Sequence, residues 1–248
     1  MSNSKSEVDL TQRMTNAERD QSFADTVPKD AATLILIDRS GSQPKVLLGK
    51  RHHAHKFMPG KFVFPGGRIE DGDAQMAALN ELNSHATEKL KKRVAGTVRE
   101  PRAFPLATIR ELCEETGLML GQKRDIAPAV PNADWQAFAS AKVHPDLAQV
   151  HFVARAITPP KRPKRFDTRF FTADTQSVAH KIEGVVSPDS ELVELVWIPI
   201  VEAKKLDMPT ISGVVLDELA ARVAAGMGHD LPVPFYYMEN QEFQREVL

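Results

Sequence analysis

The sequence predicts a mixed α/β or α+β domain. Three observations lead there. Short strand-like and longer helix-like segments occur in mixed order, the apolar period switches between two and three-to-four residues, and 248 residues suffice to bury one substantial core. A helical bundle or an all-β barrel would show one period throughout.

The run "AATLILID" at 31–38 ends in the turn-rich "RSGSQP", and "KVLLGKR" at 45–51 follows, so the pair reads as a hairpin. "KFVFPGG" at 61–67 reads as a third strand, stopped by Pro65 and the paired Gly66 and Gly67. From 74 to 93, Leu79, Leu82, Ala86 and Leu90 recur at helical spacing, with "KKR" at the end, where cations suit the helix dipole. "FPLATIRELCEET" predicts a second helix, with Pro105 near its start and Gly117 just past its end. "QVHFVARAIT" (149–158), "TRFFTAD" (168–174) and "ELVELVWIP" (191–199) read as strands, and "VVLDELAARVAAG" (214–226) as an amphipathic helix. The aromatic, proline-rich "PVPFYYMENQEF" near the C-terminus is expected to pack on the core or on a partner subunit. Residues 1–28 read as a polar tail and 29–248 as a single domain.

Composition narrows the classes of function. The 32 lysines and arginines nearly balance 33 aspartates and glutamates, so no global field draws the chain to a nucleic-acid polymer or an acidic membrane. Recognition of charge must be local. Cys113 is the one cysteine, which fits a reducing compartment, and the cytoplasm is the expected location. No apolar run approaches the length of a membrane span, and the N-terminus lacks the apolar core of a signal peptide.

On a helical wheel Ile109, Leu112, Cys113 and Thr116 gather on one side of the second helix, and Glu111, Glu114 and Glu115 on the other. Three like charges within little more than one turn repel one another by a few tenths of a kcal/mol per pair. A hard divalent cation turns that repulsion into binding energy, because Mg²⁺ takes oxygen ligands and keeps room for phosphate oxygens. The ordinary alternative is a solvated acidic face, compensated by Arg110 and nearby lysines.

The residues "GRIEDGD" and "RELCEETGL" together resemble the signature of the Nudix hydrolases, G-x5-E-x7-R-E-U-x-E-E-x-G-U with U aliphatic. Gly67 takes the first position, and Arg110, Glu111, Leu112, Glu114, Glu115, Gly117 and Leu118 match the second half in full. Asp73 stands where the family usually has glutamate, at the position that holds the family's arginine by an ion pair. Thirty-six residues separate Asp73 from Arg110 where the pattern has 7, an insertion of 29. Lengthening a surface connection raises closure entropy only slowly, so the halves can still meet. The interrupted box, with "HAHKFMPGKFVFPGG" before it and "RFDTRFF" after it, resembles the coenzyme A and acyl-coenzyme A diphosphatase branch.

The resemblance implies a Nudix-like α/β/α sandwich with a mixed central sheet and a helical insertion at about 74–104. It implies hydrolysis of a pyrophosphate bond in a nucleoside diphosphate derivative, coenzyme A or acyl-coenzyme A first, with Mg²⁺ or Mn²⁺ held by Glu111, Glu114 and Glu115 and oriented by Arg110. Alternatives are ADP-ribose, NADH or a nucleotide sugar as substrate, or a catalytically silent nucleotide-binding module. Gly66 and Gly67 are expected to let the backbone turn tightly. Arg51, Arg165 and Arg169 are the candidates to meet phosphate, and Glu183, Asp189 and Glu191 stand beside the box glutamates as candidate general bases. The histidines His52, His53 and His55 are a weak signal for a transition metal. Trp135, Trp197 and Cys113 read as core. A small nucleotide is the expected partner, and a homodimer is common among relatives.

Overall fold

The computed structural model describes residues 3–54, 58–94 and 99–248, with side chains from residue 9 onward at the N-terminus. His55 of the histidine cluster and Gly96, expected to end a helix, lie outside the described residues. In chain order the elements are α1 (Asn3–Asn16), β1 (Lys29–Asp38), β2 (Lys45–Arg51), β3 (Phe62–Val63), β4 (Gly66–Arg68), α2 (Ser84–Leu90), α3 (Ala103–Thr116) and β5 (Leu118–Leu120). Then follow β6 (Gln122–Lys123), α4 (Gln136–Ala141), β7 (Val143–His144), β8 (His151–Ile157), β9 (Phe166–Asp174), β10 (Val178–Lys181) and β11 (Leu192–Pro199). The chain closes with α5 (Ile200–Ala203), α6 (Thr210–Ala224), β12 (Pro234–Glu239) and β13 (Glu242–Val247).

The main sheet runs in the order β11-β2-β1-β9-β8-β12-β13, with β3 on β2 and β4 on β1. It is mixed. β1 lies parallel to β9 over nine residue pairs, whereas β8 and β9, β12 and β13, and β11 and β2 are antiparallel. The β1–β2 hairpin pairs only at its turn, at Ile37 with Val46 and Asp38 with Lys45. The strands then part, and β3 and β4 fill the gap, β4 lying against β1 from Ala31 to Thr33.

Side-chain alternation along β1 assigns the two faces of the sheet. Ala32, Leu34 and Leu36 pack with Leu106, Ile109, Leu112 and Cys113 of α3. Ile35 and Ile37 pack with Val214, Val215, Leu216 and Leu219 of α6 on the other side. The result is an α/β/α sandwich with the central strands buried on both faces, which is why β1 reads as a nearly continuous apolar run. Among the described residues no helix is long and apolar enough to cross a membrane.

Three expectations are corrected. The helix expected over 74–93 forms only as α2, because the backbone of Leu79 and Asn80 bonds the 145–147 segment instead, Leu79 N–H to Pro145 O at 2.8 Å and Leu147 N–H to Asn80 O at 3.1 Å. The Asn83 side chain then accepts from His85 N–H and caps α2. Leu82, Ala86 and Leu90 are still buried against the α3 core, so the apolar spacing marks burial more than helix length. The N-terminal stretch read as a tail contains α1, whose Leu10 and Met14, one helical turn apart, pack on the α6 side of the sheet. Arg13 of α1 meets Asp217 of α6 at 2.9 Å. Trp197 lies on the edge strand β11 and is 42% exposed, while Trp135 is fully buried as expected.

α3 ends at Gly117, whose φ of +77° is left-handed and whose N–H bonds the Cys113 carbonyl. A Cβ there would stand 2.2 Å from the Ile182 carbonyl oxygen. Gly117→Ala therefore combines left-handed strain with a backbone clash, and is expected to destabilise the fold by more than about 1 kcal/mol. Urea unfolding of the two proteins measures it.

Candidate functional site

The site is assembled where α3 crosses the strand insertion on β1. Neither Gly66 nor Gly67 has a positive φ, so the expectation of a tight turn is corrected: the glycines serve close approach. A Cβ at Gly66 would lie 2.6 Å from the Ala32 carbonyl oxygen, and one at Gly67 would lie 2.2 Å from the Glu111 carboxylate. Only a bare backbone lets the loop lie flat between β1 and the acidic side of α3.

Arg110 binds the two halves of the box together. Its Nε meets Asp73 Oδ1 at 2.8 Å and its Nη2 meets Asp73 Oδ2 at 3.1 Å and the Arg68 carbonyl at 3.0 Å. Nη1 donates to Glu111 Oε1 at 2.9 Å and to Glu114 Oε2 at 3.1 Å. The donors of the guanidinium fork are thus used in full, on a side chain almost excluded from solvent. Asp73 is fully buried, and its Oδ2 also accepts from Glu70 N–H, so the shorter aspartate reaches the arginine by sitting at the start of a short 3₁₀ turn. Burial alone would lower the Arg110 pKa, but the bonds to Asp73 and the charges of Asp73, Glu111 and Glu114 raise it.

The three glutamates do not share one open face, as the wheel suggested. Glu115 is buried and accepts from Gly66 N–H at 3.1 Å. Burial and the charges of Glu191 and Glu111 push its carboxyl well above the usual range, against the pull of the Gly66 N–H and Arg51. Glu111 is pushed up to about 7, chiefly by burial and with help from Glu114, while Arg110 opposes the shift. Glu114 is raised more mildly, with burial leading, and its side chain keeps 43% exposure while turned to Arg110. Half-buried Glu111 and buried Glu115 therefore form a pair in which the charge of Glu111 raises the Glu115 carboxyl, with Glu114 at the rim.

Carboxylates crowded together out of water, which Arg110 and Arg51 only partly compensate, match the donor chemistry of a hard divalent ion. The residues fit such an ion in type, charge and placement beside a glycine backbone. Among the described residues, however, no three acidic, histidine or cysteine side chains converge closely enough to hold a metal as they stand. Glu114 stands at the rim beside Glu111 and Glu115, drawn onto Arg110 by the i, i+4 ion pair.

The remaining candidates divide. Arg51, at the end of β2, pairs with Glu191 at 2.9 Å, and both act electrostatically on Glu115. Glu183 is exposed and paired with Lys181, and Asp189 is exposed in the same loop. Arg165 is taken elsewhere, its Nη1 bonding Asp25 and the Thr26 carbonyl and its Nε the Thr158 carbonyl. Arg169 is corrected outright: it is 1% exposed, bonds Asp30 and the Asp167 carbonyl, and lies 4.3 Å over the Phe104 ring at the start of α3. A guanidinium so enclosed holds the sheet to the helix and cannot meet a phosphate. His52 uses Nδ1 to accept from Ala54 N–H, a local turn contact. Cys113 is buried, and burial pushes its thiol up to about 11.

Asp134 is a residue that sequence reasoning missed. Its charge acts on Glu114, and neighbouring Asn132 lies against Gly72 of the box loop. Nothing in the spacing of "PNADW" signals this, because only the fold brings the segment to the box.

Comparison with known proteins follows the same geometry. No protein-family model matches the chain. A Nudix hydrolase from Alicyclobacillus acidocaldarius is similar in structure with a TM-score of 0.60 and 27% identity, covering 79% of this chain and 92% of that one. The Nudix domain of Shewanella oneidensis NrtR, in complex with ADP ribose, has a TM-score of 0.45 and 14% identity, covering 86% and 97%. A Caenorhabditis elegans Ap4A hydrolase has a TM-score of 0.41 and 14% identity, covering 79% and 99%. The mixed sheet and flanking helices are those of the Nudix fold.

Two outcomes test this geometry. Asp73→Asn leaves Arg110 short of its buried counter-charge and is expected to lower stability by on the order of 3 kcal/mol in denaturant unfolding. The second concerns pH. Between the ordinary value of 4.5 and about 7, folded metal-free protein keeps a proton on Glu111 that the unfolded chain releases. Its contribution is therefore fully present below pH 4.5 and is lost as pH rises through about 7. Glu111→Gln is expected to flatten that fall when unfolding is followed from pH 5 to 8 in EDTA.

Proposed function

We propose that this protein hydrolyses the pyrophosphate bond of a nucleoside diphosphate derivative with the help of a divalent metal ion. The observation that carries the reading is the pair of neighbouring carboxylates, half-buried Glu111 and buried Glu115, pinned against the Gly66–Gly67 backbone by the Asp73–Arg110 bond. A charge cluster of that kind is costly in a merely structural helix. It becomes favourable when the ligand is a cation.

In this reading Glu111, Glu114 and Glu115 hold Mg²⁺ or Mn²⁺. When bound, the ion neutralises phosphate oxygens and lowers the pKa of water for attack. The chain's own residues supply positioning and proton handling. Gly66 N–H fixes the Glu115 carboxylate. Arg110 holds Glu111 and Glu114 in register with the loop by charge-assisted hydrogen bonds, acting as a positioning residue. Glu191 is the candidate that accepts the proton of the attacking water, since of the later acids it is the one that acts on Glu115, and its 45% side-chain exposure admits water. Arg51 beside it offers a positive charge to a phosphate oxygen.

For the substrate we propose coenzyme A or an acyl-coenzyme A, supported by the interrupted form of the box. The segment "RFDTRFF" no longer adds to that choice through its arginine, because Arg169 is enclosed. The insertion at about 74–104 belongs in this reading to the same domain, a reading supported by Met76, Leu82, Ala86 and Leu90, which share the α3 core.

Incubating the protein with Mg²⁺ or Mn²⁺ and coenzyme A, acyl-coenzyme A, NADH or ADP-ribose, with products identified by mass, tests the reading. Release of a nucleoside monophosphate from coenzyme A is the expected result, and cleavage of ADP-ribose alone would move the substrate while keeping the chemistry. Glu114→Gln is expected to fold normally and to lower turnover by two or more orders of magnitude. Near wild-type turnover in that variant with Mg²⁺ present would remove the metal assignment.

A further inference from the structure

On the opposite side of the sheet from α3, the end of α1, Met58 and Lys61 ahead of β3, the basic loop between β8 and β9, and the start of α6 line a cavity of about 310 Å³. That volume lies at the lower end of the range for small-ligand sites. Its lining divides by chemistry. Met14, Met58, Phe170, Ile211 and Phe243 supply an apolar wall, and Arg19, Lys61, Arg162 and Lys164 supply cations against one acid, Glu18. The box chemistry uses none of these residues.

The charge imbalance is built in. Lys61 has a carboxylate partner, Asp207. Arg19 and Arg162, by contrast, are hydrogen-bonded to backbone carbonyls, Arg19 to those of Met14 and Thr15 and Arg162 to that of Asp20. A carbonyl anchors a guanidinium without neutralising it; the Asp20 carboxylate acts on Arg162 as well, without a direct ion pair between them. Arg19 is also spread over the Phe243 ring at 5.4 Å. Burial and then the charge of Arg162 lower the Arg19 pKa, so the two arginines face each other closely enough to repel. An anion between them relieves that repulsion, and the methionines beside it adapt to an irregular apolar body. The basic loop is stiffened by Pro159, Pro160 and Pro163, which limits the entropy lost on binding.

We propose that this cavity binds an amphipathic anion, its negative group between Arg19 and Arg162 and its apolar body against Met14, Met58, Phe170 and Ile211. Two sources offer such a group. One is the non-nucleotide half of the diphosphate substrate, in which case the proposal rests on the hydrolase reading. The other is a free amphipathic acid that acts from a separate site. The cavity's Lys61 borders the box region, because its carbonyl accepts Arg51 N–H at 3.0 Å.

Calorimetric titration of the full chain with decanoate, in EDTA so that no metal chemistry takes part, tests the site. Decanoate is expected to bind at least tenfold more tightly than either decanol or acetate. Arg162→Glu is expected to weaken decanoate binding at least tenfold with an unchanged melting temperature, and Arg162→Lys to retain most of it. Equal binding of decanol and decanoate, or equal binding by wild type and Arg162→Glu, would overturn the proposal, as would no binding by wild type. Because the titration needs no turnover, its failure is separate from failure of the hydrolase reading. In a hydrolysis assay, competitive inhibition by decanoate identifies the cavity as part of the substrate site. Non-competitive inhibition or activation identifies a separate site.

Discussion

The buried bond between Arg110 and Asp73 is the constraint on which the site depends. It joins a helix to a loop across 36 intervening residues and carries a buried counter-charge into a region crowded with carboxylates. A buried ion pair is a weak source of net stability, but removing one partner is expensive, so such a pair fixes geometry more than it adds energy. Here the geometry concerns more than two side chains. The same guanidinium holds the Arg68 carbonyl, Glu111 and Glu114, and so sets the height of the glycine backbone over the acidic side of α3.

The sheet explains why the acids can be so close to the core. β1 is buried on both faces, and its N-terminal half leaves β2 to accept β4 as a neighbour. That exchange of partners carries Gly66 and Gly67 up to α3. Had β1 and β2 stayed paired along their length, the loop would have been held away from the helix. Glu111 and Glu115 would then lie in solvent, with no reason for raised pKa values. The split of the hairpin and the electrostatics of the site are one structural fact.

Arginine shows how the fold divides residues of one type among different tasks. Arg110 positions carboxylates, Arg169 is enclosed between Asp30 and the Phe104 ring, and Arg155 closes on Asp167 at 2.6 Å beneath Phe235. All three use the planar guanidinium to satisfy several acceptors at once, and Arg155 and Arg169 a ring besides, which lysine could not do. Arg19 and Arg162 are anchored by backbone carbonyls instead.

The positions of most elements were legible in the amino-acid order, because burial of strand and helix faces imposes periods of two and 3.6 that survive without any knowledge of partners. β2, α3, β8, β9 and β11 fall within one or two residues of the segments that periodicity marked, and Gly117 ends α3 where its left-handed freedom is needed. The box residues were legible too, since their types and spacing carry the chemistry locally. What the order of residues could not contain was each side chain's distant neighbour. Leu79 and Asn80 gave up a helix for the backbone of the 145–147 segment, Glu114 turned to Arg110, and Arg169 vanished into the core. Asp134 reached the box from a segment with no signal of its own, and Glu191 came to act on Glu115 while Glu183 and Asp189, named with it, did not. Those outcomes depend on competition among contacts far apart in the chain, and only the folded sheet, by fixing which groups meet and which lose water, decides that competition.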